Sequence, residues 1–236
     1  MHHFLNYTFQ EDIALDDVLT TKSVKLTLKT PETNHDFHDW VMIEHLTTID
    51  LVKKLDFVKS LRSDERKIFM RSVVFKCAVF ESVFRAYKWK KESVVFPDGT
   101  DIFPEDIHKS LNIPSSYLNH LRCAFVAKLN ELKMTDEEHL LLTSIQIADP
   151  SAHGITEESK LLISNCQKKY TSSLFEYCSL TYQKSAPSRF TDLLSLFTFI
   201  NRSYEMASQL MFPYQLFQSD GQFKKLFKSS LGIDSK

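Results

Sequence analysis

The fold is decided by residues 39–87, which read DWVMIEHLTTIDLVKKLDFVKSLRSDERKIFMRSVVFKCAVFESVFRAY. In the first half, apolar side chains recur at roughly the spacing of one helix face. These apolar positions are Trp40, Ile43, Leu46, Leu51, Leu55 and Val58. The spacing predicts one long helix from Asp39 to about Leu61.

The second half of the stretch predicts a different kind of helix. Ser63 is followed by Asp64 and Glu65, a start that resembles a capping box with acids in the first turn. From Ile68 to Tyr87 the chain is apolar on nearly every side. A helix of this kind has no face for water, so we expect it in the middle of the domain.

The rest of the chain is also predicted to be helical. It has 4 glycines and 7 prolines, too few turn residues for a protein built from hairpins. Caps and breakers place further helices at 114–132, 135–149, 156–182 and 190–212, with Pro213 ending or kinking the last, and a basic tail helix at about 222–230 after the Asp220-Gly221 turn.

One segment predicts a small β-hairpin. Ser93-Val94-Val95-Phe96 is β-branched and aromatic, and Pro97-Asp98-Gly99 is a turn signal before Ile102-Phe103. Residues 1–35 are polar and irregular apart from a short amphipathic segment, Asp12 to Val18, and they end near Thr30-Pro31. We therefore expect a peripheral arm at 1–35 and one domain at 36–236, since no linker divides the remainder.

Composition argues against several classes of function. The 29 basic and 30 acidic side chains nearly balance, so nothing draws the chain to nucleic acid or anionic lipid. The four cysteines, Cys77, Cys123, Cys166 and Cys178, lack paired zinc-ligand spacing and are expected to be buried free thiols. Neither a signal peptide nor a membrane span is apparent, so we expect an intracellular, soluble protein.

Catalysis is not expected. The nine histidines are dispersed, and no metalloprotease, hydrolase or nucleotide-binding motif occurs. The acidic clusters at 136–138 and 157–158 stand at helix starts, where capping explains them. We predict no catalytic residue, no cofactor and no metal site.

Particular residues carry a resemblance to a known family. The stretch Ile49–Arg71 resembles the signature that joins the third and fourth helices of nuclear hormone receptor ligand-binding domains. Val95-Phe96-Pro97-Asp98-Gly99 is similar to the hairpin of the nematode receptors related to hepatocyte nuclear factor four. The start Thr135–Glu138 resembles that family's eighth helix, and Arg189-Phe190 with Leu193-Leu194 resembles the start of its tenth.

The resemblance covers roughly residues 36–231, with departures at three positions. Leu51 stands where tryptophan is usual, Arg66 where glutamine is usual, and Val74 where the central helix usually has tryptophan. The implied fold is all-α: a three-layer antiparallel helical sandwich with one small β-hairpin. The implied activity is that of a ligand-regulated, nuclear transcription factor that reaches DNA only through zinc modules absent from this chain.

By the resemblance, the ligand is a small lipophilic molecule, a fatty acid or a sterol-like compound. Arg85 matches the arginine that receives a ligand carboxylate, and a guanidinium forms bidentate bonds with such a group. Equal alternatives are a structural ion pair, for example with Glu81, and an exposed arginine near the helix end. Further ligand positions implied by the resemblance are Trp40, Val41, Glu44, Ala78, Ser82, Val95 and Phe96. Glu44 is unusual there, because a carboxylate facing an apolar cavity needs a partner, a proton or solvent.

The resemblance also implies a groove for the short leucine-rich helix of a coactivator or corepressor. Lys53 and Arg71 match the cations that hold the C-terminal carbonyls of that helix. Apolar groove positions are Ile49, Val52, Leu61 and Ile68. In the tail helix, Lys225 or Ser229 stands where activating receptors have an acid, and a lysine there repels the positive end of a partner helix.

Two readings of function stay open. The first is a receptor domain with a ligand and with homo- or heterodimerisation through the helix at 190–212. The second is a ligand-independent scaffold of the same fold, whose pocket is filled by its own side chains, since phenylalanine is abundant at 19 residues.

Overall fold

The computed structural model describes residues 7–9, 13–20, 26–28, 35–103, 107–217 and 225–230. Two short strands, β1 (Tyr7–Phe9) and β2 (Leu26–Leu28), pair antiparallel with Thr8 opposite Thr27. The helices are α1 (Leu15–Thr20), α2 (Phe37–Val52), α3 (Asp56–Ser60), α4 (Ser63–Lys88), α5 (Ile107–Leu111), α6 (Ser115–Leu132), α7 (Asp136–Ile147), α8 (Glu157–Tyr182), α9 (Ala186–Phe217) and α10 (Lys225–Ser230).

Helix α4 is the centre of the molecule, as its apolar sequence predicts. It contacts α2 and α10, and it also contacts α6, α7 and α9, while α8 packs against α7 and α9. This order of contacts, from α2 through α4 to the pair α8 and α9, is that of a three-layer helical sandwich. The all-α fold class is confirmed.

Local capping chemistry sets several helix starts where the sequence predicted them. The Thr135 hydroxyl accepts from the Glu138 N–H while the Glu138 carboxylate accepts from the Thr135 N–H, a complete capping box for α7. Thr156 caps α8 by accepting from the Ser159 N–H. Helix α4 also begins at Ser63, but its N-cap, Arg62, makes no side-chain cap bond.

The single long helix predicted from Asp39 to Leu61 is wrong. Helix α2 ends at Val52, and α3 begins at Asp56 after Leu55, whose backbone is extended at φ −69° and ψ 132°. Arg66 of α4 caps the other end of α3, because its guanidinium donates to the carbonyls of Val58, Lys59 and Leu61 at 3.1, 2.8 and 3.0 Å. These carbonyls lie at the C-terminal end of α3, beyond which the helix supplies no further turn of donors.

Other boundaries also differ from prediction. The arm contains β1 and β2, which its polar composition did not predict, and α1 begins three residues after Asp12. Helix α5 was not predicted, and α9 extends from Ala186 through Pro213 to Phe217. The tail helix begins at Lys225, and the predicted Asp220-Gly221 turn and residues 222–224 lie outside the described residues.

The hairpin region is a tight turn rather than a pair of strands. Val95 and Asp101 form one antiparallel bridge, the Phe96 N–H donates to the Thr100 carbonyl at 2.9 Å, and Gly99 has φ +92°. A left-handed φ favours glycine at that position.

The described part of the chain adds three further observations. It has no helix long and apolar enough to cross a membrane. It also has no group of three or more His, Cys, Asp or Glu side chains placed to hold a metal ion. The four cysteines are free thiols; Cys77 and Cys178 are buried, and Cys123 and Cys166 are half-buried.

Candidate functional site

An apolar cavity of about 110 Å³ lies among α2, α4, α9 and α10. Most of its wall is aromatic and aliphatic, with polar atoms contributed by Glu44, His45, Ser82 and Ser203. The cavity is smaller than most ligand pockets, which measure about 300–1,000 Å³. It is also smaller than an engineered cavity of about 150 Å³ that binds benzene. A cavity of this volume has room for a small ligand or for part of a larger one.

Five of the eight predicted ligand positions line this cavity: Val41, Glu44, Ala78, Ser82 and Phe96. Trp40, Val95 and Arg85 do not line it. The Trp40 indole N–H donates to the Asp98 carboxylate at 2.8 Å, and the indole stacks on Phe96, which keeps it in the wall behind the cavity. Val94 lines the cavity in place of Val95, because neighbouring residues of extended chain point to opposite sides.

Arg85 forms a buried ion pair within the chain. Its guanidinium Nη2 lies 2.5 Å from the Glu44 Oε1, and the two side chains are only 8% and 11% exposed. Ser82 donates to the same Glu44 oxygen at 2.8 Å. Burial raises the pKa of Glu44 above its usual value, while Arg85 and Ser82 oppose that rise. The structural ion pair weighed from sequence therefore exists, but its partner is Glu44 rather than Glu81.

The ion pair also lines a second cavity of about 210 Å³, where most of the lining residues have polar or charged side chains. Glu44, Ala78 and Ser82 line both cavities, whereas Arg85 and Glu81 line only the second. A polar cavity of this size has room for ordered water. The Glu44 side chain therefore lies at the border between the two cavities.

His45 is a neutral side chain in the cavity wall. It is 2% exposed, and burial lowers its pKa from the ordinary 6.5 to about 4. Its Nδ1 lies 2.8 Å from the Val41 carbonyl, so Nδ1 carries the hydrogen in that contact. A buried neutral imidazole adds no charge to an apolar site.

Phe227 joins the tail helix α10 to the cavity. Its ring lines the cavity and lies 5.3 Å from the His45 ring and 5.8 Å from the Phe75 ring, in edge-to-face geometry with both. Such aromatic pairs contribute about 0.5–1.5 kcal/mol beyond their buried area. The docking of α10 and the filling of the cavity therefore involve the same side chains.

The predicted coregulator positions lie where α2, α3 and α4 meet, but the apolar ones are covered. Ile49, Val52 and Leu61 are buried, and Ile68 is partly buried in the same hydrophobic cluster. That cluster also contains Leu15 and Val18 of α1 and Leu226 of α10.

The charged positions predicted at this site have different surroundings. Lys53 forms an exposed ion pair with Asp50 at 2.9 Å, and Arg71 is half-buried. In the tail helix Lys225 is exposed and Ser229 is buried. Of the two registers considered from sequence, only the one with Lys225 presents its side chain to solvent.

Sequence reasoning missed several parts of the site. Phe75, Met211 and Phe227 line the cavity, and His45 adds its only imidazole among the described residues. The one available signal was the apolar pair Leu226-Phe227 in an otherwise basic tail, because such a pair needs a buried surface. The cover over the groove also went unnoticed, although the short arm segment was recognised as amphipathic.

A helical sandwich with an apolar cavity closed by its C-terminal helix defines a class of ligand-binding domain. Residues 22–217 match the family model of the ligand-binding domain of nuclear hormone receptor. The chain belongs to the nuclear hormone receptor family and carries its ligand-binding domain.

Three Caenorhabditis elegans proteins illustrate the similarity. Nuclear hormone receptor family member nhr-167 is 36% identical over 217 residues, covering 92% of this chain and 63% of that protein. Member nhr-27 is 33% identical, covering 93% and 62%, and member nhr-197 is 32% identical, covering 97% and 69%. The chain thus spans less than two thirds of the length of the first two relatives.

Proposed function

We propose that this chain is the regulatory part of a nuclear transcription factor rather than an enzyme. A small lipophilic ligand binds in the apolar cavity, and its presence controls whether a coregulator helix binds near α2, α4 and α10. The observation that carries the proposal is the position of Phe227, which lines the cavity from α10 beside His45. DNA binding belongs to zinc modules elsewhere in the full protein.

The mechanism is a shift between docked and undocked states of α10. A ligand that contacts Phe227 adds binding energy only to the state in which α10 is docked. Helix α10 contacts α2 and α4; Lys53 directly follows the end of α2, and Arg71 lies on α4. Ligand binding therefore alters the surface that a coregulator meets, by the same physics as other ligand-biased switches.

The Glu44–Arg85 pair favours a neutral ligand over a fatty acid. Arg85 already has a carboxylate at 2.5 Å, so a ligand carboxylate brings uncompensated negative charge next to Glu44. A ligand hydroxyl group instead can donate to the Glu44 carboxylate or to the Ser82 oxygen on the cavity wall. We propose a small neutral lipophile with one polar group; a sterol requires the cavity to enlarge by movement of Phe227.

Native mass spectrometry of the purified domain, followed by extraction and identification of any bound molecule, tests ligand binding. Ala78→Leu adds bulk to a 3%-exposed residue in the cavity wall, and Ala127→Leu adds the same bulk at an exposed site on α6. We expect a stoichiometric lipophile on the wild type and on Ala127→Leu, and its loss from Ala78→Leu. An empty wild-type protein that folds stably contradicts the proposal.

The small cavity supports a second candidate function, a ligand-independent scaffold that acts by dimerisation. In the predicted dimer helix, 190–212, Phe212 is exposed, but most large exposed apolar side chains nearby belong to α8. They are Leu161, Leu162, Phe175 and Leu180. An empty cavity combined with a dimer in solution favours this scaffold, with a surface centred on α8.

A further inference from the structure

Helix α1 has the pattern of a short groove-binding helix. Its sequence, Leu15-Asp16-Asp17-Val18-Leu19, places one apolar residue before two acids and two apolar residues after them. Residues three and four apart share a helix face, so Leu15, Val18 and Leu19 form one apolar stripe. Asp16 and Asp17 are exposed on the other side. These residues precede the part of the chain that matches the family model.

The apolar stripe is buried against the predicted coregulator groove. Leu15 is 3% exposed and Val18 is 5% exposed, and both belong to the hydrophobic cluster that contains Val52, Leu61 and Leu226. Helix α1 contacts α4 and α10, two of the three elements that carry the predicted groove residues. The arm therefore covers the surface on which a partner helix is expected.

Charge complements the apolar contact. Asp16 forms an ion pair with Lys67, which precedes Arg71 by one turn on α4. The two acids of α1 lie in its first turn, where they offset the positive end of the helix. The acidic first turn of α1 therefore lies against a cation of α4, at the edge of the predicted groove.

We propose that residues 13–20 occupy the coregulator groove as an intrachain ligand. A partner must displace them, and the groove accepts short helices of the same kind, with acids between apolar residues at the spacing of α1. The inference rests on the coregulator surface in the proposed function, but it does not depend on a ligand in the cavity.

Fluorescence anisotropy of a labelled peptide tests the inference directly. The peptide has the sequence EDIALDDVLTTK of residues 11–22, and it is titrated with the whole chain. The test variant is Leu15→Ala/Val18→Ala, and Thr20→Ser, at an exposed position, is the matched control. A tethered segment acts at an effective concentration of roughly 1 mM. Removing its apolar contacts is therefore expected to tighten peptide binding roughly 10- to 100-fold, with Thr20→Ser unchanged.

A second variant separates the effect of weaker α1 docking from the effect of a disturbed fold. Asp16→Lys changes an exposed residue and places a cation against Lys67, so it weakens α1 docking without removing buried side chains. It is expected to tighten peptide binding several-fold. Equal affinity of the wild type and the folded variants overturns the proposal. Absence of binding to every form also overturns it, and neither result bears on native mass spectrometry of the cavity.

Discussion

Glu44 of α2 and Arg85 of α4, 41 residues apart in the chain, form a buried ion pair with 2.5 Å between Oε1 and Nη2. The pair occupies the position where the sequence suggested an anchor for a ligand carboxylate. A buried guanidinium is costly without a partner, and Glu44 supplies that partner within the chain. We expect the pair to stabilise this region and to disfavour a negatively charged ligand beside it.

Removal of Glu44 should allow Arg85 to bind the carboxylate of a fatty acid. Glu44→Ala leaves Arg85 buried without its carboxylate, so we expect the free energy of unfolding to fall by about 3–5 kcal/mol. Decanoate should then raise the melting temperature of Glu44→Ala by more than it raises that of the wild type, because its carboxylate replaces the lost one.

Glu81→Ala is the control for this prediction, since Glu81 lines the same polar cavity but contacts His139 at 3.2 Å rather than Arg85. Its response to decanoate should match that of the wild type. A Glu44→Ala protein as stable as the wild type, or one indifferent to decanoate, contradicts the assigned role of the pair.

Burial of His45 predicts loss of stability in mild acid. Its pKa is about 4 in the folded protein and 6.5 ordinarily, so the unfolded chain binds more protons between these values. The contribution is complete above pH 6.5 and is lost as pH falls through the folded pKa. Between pH 7.5 and pH 5 this residue should cost about 2 kcal/mol of unfolding free energy.

Urea unfolding of the wild type and of His45→Phe at both pH values measures this contribution. The phenyl ring retains the aromatic packing with Phe75 and Phe227 but cannot be protonated. The decrease in unfolding free energy from the higher to the lower pH should therefore be about 2 kcal/mol smaller in His45→Phe than in the wild type. His153→Gln, at an exposed histidine, should behave as the wild type does. Parallel pH profiles for the wild type and His45→Phe would refute the prediction.

Arg66 should contribute more to the free energy of unfolding than its half-buried position suggests. Its guanidinium bonds to three carbonyls at the end of α3, and hydrogen bonds to charged groups contribute about 1.5–3 kcal/mol. We expect Arg66→Ala to lower the free energy of unfolding by about 2 kcal/mol. Arg66→Lys should recover only part, because an ammonium lacks the planar fork. Chemical denaturation measures the order of stability, which should be wild type, then Arg66→Lys, then Arg66→Ala. Equal stability of all three proteins would show that Arg66 does not cap the end of α3.

Outside the candidate ligand site, the contact between Arg189 and Glu138 should be the polar contact whose loss lowers stability most. Glu138 is fully buried, and Arg189 bonds to both its oxygens and to the Leu132 carbonyl at 2.6 Å. Burial favours a higher pKa for Glu138, but Arg189, Thr135 and Tyr182 hold it below its usual value.

Loss of one partner strands a buried charge, so Arg189→Ala should cost about 3–5 kcal/mol. Glu138→Gln/Arg189→Ala should cost less than the sum of the single changes. Additive effects in thermal or urea unfolding would show that the two residues do not act as a pair.

The sequence predicted those parts of the fold that depend on local chemistry. Thr135 and Glu138 form their capping box within four residues, and the apolar run of α4 requires burial whatever surrounds it. The break between α2 and α3 was not predictable in this way, because apolar residues continue at helical spacing across Leu55. The capping of the α3 end by Arg66 was equally unpredictable, because it depends on how α3 and α4 pack.

Several residues of the cavity wall were predictable from the sequence, but the side-chain pairings between helices were not. Val41, Ala78 and Ser82 lie on helix faces that the resemblance identified, so their place in the cavity wall followed. The pairing of Arg85 with Glu44 depends on how α2 and α4 pack, and Trp40 is turned aside by a bond to Asp98. The docking of α1 depends on contacts between segments about fifty residues apart, as Asp16 and Lys67 are.

The coupling of the cavity to α10 through Phe227 is the central claim, and amide hydrogen exchange of residues 225–230 tests it most directly. The measurement compares protein loaded with the extracted lipophile and the same protein after its removal. We expect slower exchange throughout α10 in the loaded protein, and loss of that difference in Phe227→Ala. Identical exchange of α10 in loaded and stripped protein would rule out this coupling.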